Sequence, residues 1–560
     1  MEVLQIIIPL IIFMLLVVPA GKYLYYVASG EKAFGDKLFN AIDNAIYKIC
    51  GIDKKEEMSW KKYVLTLLVV NTVMSLFAYV VLRTQAYLFL NPNKTGNMEK
   101  SLTFNTVISF ITNTNLQDYS GESGVSYFSQ MMVMTFLMST SAATGFAAAL
   151  AFMRGLIGKK KTLGNFYVDV VRVITRVFLP LSVIVTLLLV AQGVPQTLSA
   201  NHTVATIEGK LQDIALGPVA SLEAIKHIGT NGGGFFGANS AHPFENPTPL
   251  SNLIELLSMM LLPGALVYTF GKMLKNKKQG WVIFAAMAIL FLMVLPICYT
   301  AEKAGNPALK NIGLSQAMGN MEGKEVRFGI PQSSLFTTVT TAFTTGTVNN
   351  MHDSLMPLSG MVAMINMMLN VIFGGKGVGF MNMIMYAILT VFLAGLMVGR
   401  TPEFLTKKLE GKEIKLVALA IIIHPFLILM FSALALITPQ GMAGITNPSY
   451  HGLSQVIYQF TSSAANNGSG FEGMADNTLF WNTTTGIVML LGRYLSIIIL
   501  LAVAGSLASK KAIPVTAGTF RTDNTIFTFT LVVIVLIIGA LTFLPAIALG
   551  PISEHLTLFR

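Results

Sequence analysis

Apolar residues in this chain run in long unbroken stretches, and the polar residues are bunched between them. Ten stretches stand out, near residues 3–23, 61–83, 129–152, 171–193, 250–272, 280–300, 361–399, 413–438, 484–507 and 526–549. About 20 apolar residues suffice to cross a hydrocarbon layer of about 30 Å as a helix, so the pattern predicts an all-α polytopic membrane protein with ten transmembrane helices. Four of the connections share a second pattern, a shorter apolar or Thr-rich segment followed by a polar run of Thr, Asn and Gly. They read SLTFNTVISFITNTNLQDYSGE from Ser101, SLEAIKHIGTNGGGFFGANS from Ser221, SLFTTVTTAFTTGTVNNMHD from Ser334 and GLSQVIYQFTSSAANNGSGFEG from Gly452. A helix of ten residues rises about 15 Å, half the hydrocarbon thickness, so each short segment enters the membrane and turns back. Irregular backbone at that depth is tolerated where protein buries it or where it lines a watery path. Four such loops around one axis make a pore.

The expected architecture is therefore four pseudo-symmetric units of span, pore loop and span, over residues 61–153, 170–272, 280–400 and 413–507, with one extra helix at each end. Residues 1–60 hold the first helix and a cytoplasmic loop, and 526–560 hold the last helix and an external C-terminus. The unit at 280–400 differs, because its apolar sequence runs from about Gly360 to Gly399. At 1.5 Å per residue that helix would reach roughly 60 Å, so it must break or tilt. Gly374, Gly375, Lys376 and Gly377 offer the break.

Composition agrees: 53% of the 560 residues are hydrophobic and 12% charged, with a mean hydropathy of +0.64. The first apolar stretch has no basic leader and no small-residue cleavage pattern, and is expected to be a retained helix. The formal charge of +11 raises the question of nucleic acid, and its distribution answers it. Lys54, Lys55, Lys61 and Lys62, then Lys159, Lys160 and Lys161, then Lys275, Lys277 and Lys278, then Lys407, Lys408 and Lys412, then Lys510 and Lys511 fall in alternate loops. By the positive-inside rule those loops are cytoplasmic and both termini external. The basic excess reflects topology. Cys50 and Cys298 have neither metal-ligand spacing nor the pattern of a disulfide framework.

Aligned on their polar runs, the loops read Thr112-Asn113-Thr114-Asn115, Thr230-Asn231-Gly232-Gly233, Thr344-Thr345-Gly346-Thr347 and Asn466-Asn467-Gly468-Ser469. The third position is Gly in three of the four and Thr114 in the first. Glycine accepts positive φ without steric cost, which lets successive carbonyls turn toward a common axis. A dehydrated monovalent cation needs such rings of oxygen dipoles in place of its water shell. No carboxylate falls within the aligned positions, which disfavours a divalent ion. Asp118, Glu122 and Glu472 lie just beyond them, either concentrating cations at an outer mouth or simply solvated there. His227, His352 and His451 share no ligand spacing within one segment and are read as surface or pore-helix packing.

The stretches TNTNLQDYSGE, TNGGGFFGANSAHPFENP, TTGTVNNMHD and NNGSGFEGM closely resemble the potassium-binding A subunit of the bacterial Kdp potassium-transporting ATPase, and the similarity runs from the first span to the last. The resemblance implies a single-chain relative of tetrameric potassium channels in a bacterial plasma membrane, with K+ as the bound substrate ion. Its filter positions carry over to Thr112 to Asn115, Thr230 to Gly233, Thr344 to Thr347 and Asn466 to Ser469, with Gln117 near the outer mouth. It favours reading the break at Gly374 to Gly377 as a gate below the filter over reading it as a simple kink. Arg493 sits about nine residues into the ninth apolar stretch, where an unpaired charge costs at least about 2.5 kcal/mol. It either pairs with a partner's carboxylate or repels ions from a wrong path. Arg400 is read as a positive-inside anchor.

The chain has no Asp-Lys-Thr-Gly motif, no GxxxxGK[ST] loop and no cytoplasmic segment large enough for a nucleotide domain. It is expected to bind no nucleotide and to hold no catalytic site. The resemblance supplies the missing parts as partners: a P-type ATPase B subunit, a C subunit and a small F subunit. An alternative is a gradient-driven transporter of the Trk/Ktr/HKT type. A polytopic enzyme is disfavoured, because these loops offer carbonyls and hydroxyls where acids, bases or metal ligands would be needed.

Overall fold

The computed structural model describes residues 2–375, 377–399, 401–514 and 520–559. Lys376 and Arg400, two of the positions singled out above, lie outside the described residues. Among the described residues, ten helices are long and apolar enough to cross a membrane: span one Glu2–Ser29, two Trp60–Tyr87, three Tyr127–Ile157, four Phe166–Ala191, five Pro249–Met273, six Lys277–Asn311, seven Val378–Met397, eight Gly411–Ile437, nine Leu479–Ala508 and ten Thr525–Leu558. The break in the seventh apolar stretch falls where the glycines predict it. A short helix, Pro357–Leu369, ends at Asn370 in a left-handed conformation (φ 47°), and the chain resumes helix at Val378.

Four half-helices precede the polar loops: the first Lys100–Ile111, the second Val219–Ile228, the third Gly329–Ala342 and the fourth Ser449–Ala465. The third is rich in hydroxyls, yet every residue in it except Gly329 and Gln332 is buried. Its hydroxyls explain this: Thr338 Oγ1 donates to the Ser334 carbonyl at 2.8 Å and Thr341 Oγ1 to Thr337 at 2.7 Å, each satisfied within its own helix. Side-chain caps fix where spans begin. Thr248 and Ser251 form a reciprocal capping box at span five, and Asn524 accepts from Phe527 N at 2.9 Å at span ten; each satisfies donors that a helix start leaves free.

Packing sorts the spans into an inner and an outer group. In its most apolar stretch span three is 89% buried, whereas span one is 22% buried and turns Leu15, Ile11 and Val3 outward. Small residues allow the inner approach. A methyl group on Gly155 of span three would sit 2.7 Å from the Ala504 Cβ of span nine. Alternating direction brings the ends of spans one, three, five, seven and nine to the face where the others begin. The connections there touch one another: Met58 bridges to Gly164, Asn276 Nδ2 donates to Asp523 Oδ2 at 3.3 Å, and Lys510 Nζ to the Lys408 carbonyl at 2.9 Å. This is the lysine-rich face. Two features depart from an all-helical expectation. The antiparallel pairs His202–Ala205 with Leu211–Ile214, and Glu403–Phe404 with Lys407–Lys408, are short strands confined to connections.

Candidate functional site

The four half-helices end in the same unusual way. Each is followed by a non-glycine residue at positive φ: Asn113 (63°), Thr230 (42°), Thr344 (50°) and Asn466 (56°). The next backbone N–H then reaches back to the carbonyl five residues earlier: Thr114 to Ser109 at 2.9 Å, Asn231 to Lys226 at 2.9 Å, Thr345 to Thr340 at 2.8 Å and Asn467 to Ser462 at 3.0 Å. Left-handed backbone at a non-glycine residue is a strained state that persists where the surroundings over-determine it. Here it occurs four times in equivalent places.

That repeated geometry corrects the register of the first loop by one residue. Asn115 (φ 59°), and not Thr114, stands where the other loops have Gly232, Gly346 (φ 97°) and Gly468 (φ 106°). Thr114 stands beside Asn231, Thr345 and Asn467. Thr112 falls one place before the turn, with Phe343 and Ala465, and donates to the Ile108 carbonyl at 2.7 Å. The physical reason is that asparagine tolerates left-handed backbone better than most residues, so the first loop makes its turn without glycine.

The loops meet edge to edge. A methyl group on Gly232 would lie 2.8 Å from the Asn467 carbonyl oxygen and 2.9 Å from Gly468 Cα, and would press on the Thr114 carbonyl. One on Gly346 would meet the Asn467 carbonyl and lie 2.9 Å from Gly232 Cα, and one on Gly468 would meet the Thr114 carbonyl. Glycine is required at these three positions because backbone of the facing loops fills the space a side chain would take. What the loops turn toward one another is carbonyl oxygen.

Side chains hold the loops from behind. Thr340 Oγ1 accepts from Gly346 N at 2.9 Å and donates to the Thr347 carbonyl at 2.6 Å; Ser462 Oγ accepts from Gly468 N at 3.0 Å. Asn113 Nδ2 donates to the Thr230 carbonyl at 2.7 Å, and Asn467 Nδ2 to the Thr340 carbonyl at 2.9 Å, tying each loop to its neighbour. Ser469 Oγ donates to Asn467 Oδ1 at 2.6 Å. At the far end Gln117 clamps loop two with both ends of its amide, donating to the Gly234 carbonyl at 3.0 Å and accepting Gly234 N at 2.8 Å. A methyl group on Gly233 would lie 2.6 Å from the Asn115 carbonyl and from Gln117 Oε1.

Behind loop two lies a fully buried charge cluster that the sequence reading did not find. Lys226 Nζ is 2.5 Å from Glu223 Oε2 and 2.8 Å from Glu245 Oε2, and His227 Nε2 is 3.3 Å from Glu255 Oε2. Glu245 accepts from Phe236 N at 2.7 Å, and Ser240, which accepts from Lys226, lies 3.1 Å from Thr347 Oγ1 of loop three. Glu223, His227 and Glu255 are spaced as metal ligands would be, but the Lys226 ammonium beside Glu223 supplies the neutralising cation.

The other singled-out residues separate. Asp118 is buried, and burial together with the facing Asp476 carboxylate pushes its carboxyl well above the usual range. Glu472 is exposed and Glu122 accepts from Gly237 N at 2.9 Å. His352 is buried, with Nδ1 2.7 Å from the Tyr458 hydroxyl, and burial beside Lys324 lowers its pKa to about 3. His451 lies between Asp353 and Glu554, at 3.0 and 2.8 Å.

The break segment lies at the ends of the loops next to the half-helices. A methyl group on Gly375 would be 2.9 Å from the Thr344 carbonyl oxygen and 3.5 Å from Thr230 Oγ1, while one on Gly377 would be 2.7 Å from the Gly145 carbonyl of span three. Phe373 stacks on Phe343, the residue before loop three, with ring centroids 4.7 Å apart, and Gly374 N donates to the Ala342 carbonyl at 3.2 Å. Beside it is a small cavity of ≈40 Å³, lined by Asn370, Asn382, Tyr386, His424 and Asn466 and reaching Phe543 of span ten. Arg493 is buried at the middle of span nine. Its Nη2 donates to the Ser141 carbonyl at 3.3 Å, and Ser141 Oγ donates to Asn113 Oδ1 at 3.1 Å. Among the described residues it makes no ion pair.

Ten long apolar helices among the described residues, with four shorter helices whose loops meet edge to edge, define a multi-pass membrane protein. The same fold is found in the potassium transporter TrkH from Vibrio parahaemolyticus, which the chain matches with a TM-score of 0.53 at 14% identity, over 90% of this chain and 98% of that one. The particular family is more specific. Residues 7–556 match the family of the potassium-transporting ATPase A subunit. The chain is 68% identical over 558 residues, the full length of both, to the potassium-transporting ATPase potassium-binding subunit of Clostridium acetobutylicum, and 60% identical over 98% of both chains to that of Geobacillus kaustophilus. The chain belongs to this family.

Proposed function

We propose that this chain is the potassium-binding and translocating subunit of an ATP-driven, high-affinity potassium uptake complex in the bacterial plasma membrane. The single observation that carries the proposal is the close approach of Gly232, Gly346 and Gly468 around the Thr114 and Asn467 carbonyls. Oxygen dipoles without fixed negative charge suit a monovalent ion that must enter dehydrated and leave again. External K+ is selected there, between an outer end at Gln117 and an inner end at Thr344 and Thr230. The four units at 61–153, 170–272, 280–400 and 413–507 each give one loop, and both chain termini face outward because the lysine-rich face is cytoplasmic.

Straight passage to the cytoplasm is blocked by the segment around Gly374, Gly375 and Gly377, with Lys376 adding its charge. The ion instead leaves sideways toward a P-type ATPase B subunit that hydrolyses ATP, in a complex completed by C and F subunits. The cavity beside Asn370 and Asn466 supports a lateral exit, since its lining runs to span ten. Arg493, buried near the inner ends of loops one and four, repels cations from other routes.

The test is rubidium binding to the purified complex, competed with potassium and sodium, for the native chain and for Gly232→Asp. Potassium displacing rubidium far better than sodium, with the preference eroded by the aspartate, is the expected result. Equal competition by sodium would remove the filter assignment. A gradient-driven transporter of the Trk type would show the same selectivity with no dependence on ATP hydrolysis by a partner.

A further inference from the structure

Away from the loops, the lysine-rich face holds a cavity of ≈530 Å³ between the ends of spans one, three, four and five. Its floor is apolar, with Leu150, Val173 and Met273, and its rim is charged. Most of the rim charges are matched. Arg154 pairs with Asp169, Lys160 with Glu57 at 2.5 Å, and Glu56 with Lys62. Glu31 accepts from the Tyr25 hydroxyl at 2.9 Å, and Lys54 Nζ donates to Asn44 Oδ1 at 2.9 Å. Three cations remain without an ion-pair partner among the described residues: Lys54, Lys159 and Arg172. Arg172 is the telling one, because its Nε and Nη2 are both buried and neither has a hydrogen-bond partner. A guanidinium offers five donors in a planar fork and cannot shed its charge. Leaving two of its nitrogens dry and unsatisfied is costly unless an acceptor comes from outside the chain.

The level of this cavity in the membrane can be read from its neighbours. One turn beyond Arg172, Arg176 is buried and binds Asp36 at 3.0 Å, Asn40 at 2.6 Å and also Asp43, all on the helix Asp36–Ile49. That helix therefore turns its polar side to the protein, and it leaves Leu38 and Ile49 exposed at 65% and 84%. An amphipathic helix with its apolar face outward belongs in the interface between headgroups and acyl chains. Past Arg176, span four exposes Leu179, Val183 and Leu187, so lipid-facing surface begins at this level.

We propose that the cavity is a binding site for the phosphodiester headgroup of an anionic phospholipid, with Arg172 as the fork-shaped donor and Lys159 and Lys54 as flanking charges. The phosphate accepts from the two free guanidinium nitrogens, and the apolar floor receives the start of the glycerol and acyl region. A soluble phosphate compound would use the same donors but would have no use for the floor.

Native mass spectrometry of the full chain in detergent tests this, with phosphatidylglycerol and phosphatidylcholine of the same acyl chains as probes. Phosphatidylglycerol is expected to be retained and phosphatidylcholine lost. Arg172→Gln and Lys159→Gln are each expected to lower retention about fivefold, the effect of one basic residue at a membrane surface. Lys159 is exposed, so its variant keeps the test valid if Arg172→Gln fails to fold. Lys278→Gln, on the same face but outside the cavity, should change nothing. Equal retention of the two lipids, or a loss with Lys278→Gln as large as with Arg172→Gln, would overturn the site. Displacement of the lipid by soluble glycerol 3-phosphate would overturn the lipid as its occupant.

Discussion

The Lys226 ammonium, wholly buried, lies 2.8 Å from Glu245 Oε2, and Glu245 in turn holds the backbone of Phe236 just beyond loop two. A lysine on the half-helix thereby fixes the outer course of the loop that follows it. Removing one partner of a buried pair leaves the other charge stranded, at about 3–5 kcal/mol. Lys226→Met is expected to lower the thermal midpoint of the full chain and to reduce rubidium retention. Lys226→Arg, which keeps the charge, should recover part of both. Unchanged melting and binding in Lys226→Met would show that the cluster does not brace the loop.

Gly346 and Gly470 make a matched pair for testing whether the loops tolerate side chains. Gly346 has φ 97°, and a methyl group there meets the Asn467 carbonyl, whereas the nearest atom to a methyl group on Gly470 is Gln459 Oε1 at 3.4 Å. Strain of about 1–3 kcal/mol at a special backbone position converts to roughly a fivefold to 150-fold loss of rubidium affinity for Gly346→Ala. Gly470→Ala should bind within about twofold of the native chain, since a methyl group at this buried position meets its nearest neighbour only at ordinary contact distance. Equal losses at both positions would point to general loop damage.

The spans were legible because apolar length is itself the physical requirement for crossing a bilayer. The half-helices were legible because the same short pattern recurs four times, and the interruption of the seventh stretch because Gly374, Gly375 and Gly377 stand together within it. The charge cluster was hidden for a different reason. Glu223 and Lys226 show an i,i+3 spacing on one half-helix, but Glu245 and Glu255 come from a later loop and from span five, and only the fold brings them together. The exposed strands at 202–214 carry no apolar alternation to announce them.

Matching glycines misplaces the register of loop one by one residue, because Asn115 there serves where the other loops have glycine. This gives a direct test. If Asn115 occupies the glycine position, Asn115→Gly relieves its φ of 59° and should keep rubidium binding within about twofold, with unchanged or slightly higher stability. Thr114→Gly removes a hydroxyl that lies 2.8 Å from Thr112 Oγ1 and accepts from Asn466 Nδ2 at 3.0 Å. Losing such buried hydrogen bonds costs about 1–3 kcal/mol, so binding or stability should fall. The opposite ranking of the two variants would restore the alignment of Thr114 with Gly232, Gly346 and Gly468.

His451, at the start of the fourth half-helix, ties Asp353 after loop three to Glu554 near the end of span ten. Burial works against its charge, but the two carboxylates prevail and hold its pKa up to about 9, against about 6.5 for an unperturbed histidine. A histidine whose pKa is raised on folding contributes stability that is fully present below about pH 6.5 and is lost as pH rises through about 9. The contribution is at most roughly 3 kcal/mol. Melting of the full chain in detergent is therefore expected to show a midpoint that declines across this window, with Asp353 and Glu554 left facing each other uncompensated at its upper end. His451→Asn should be less stable than the native chain at pH 6.5 and should lose most of the decline. A variant whose midpoint falls with pH as steeply as the native chain would assign the pH dependence to other groups.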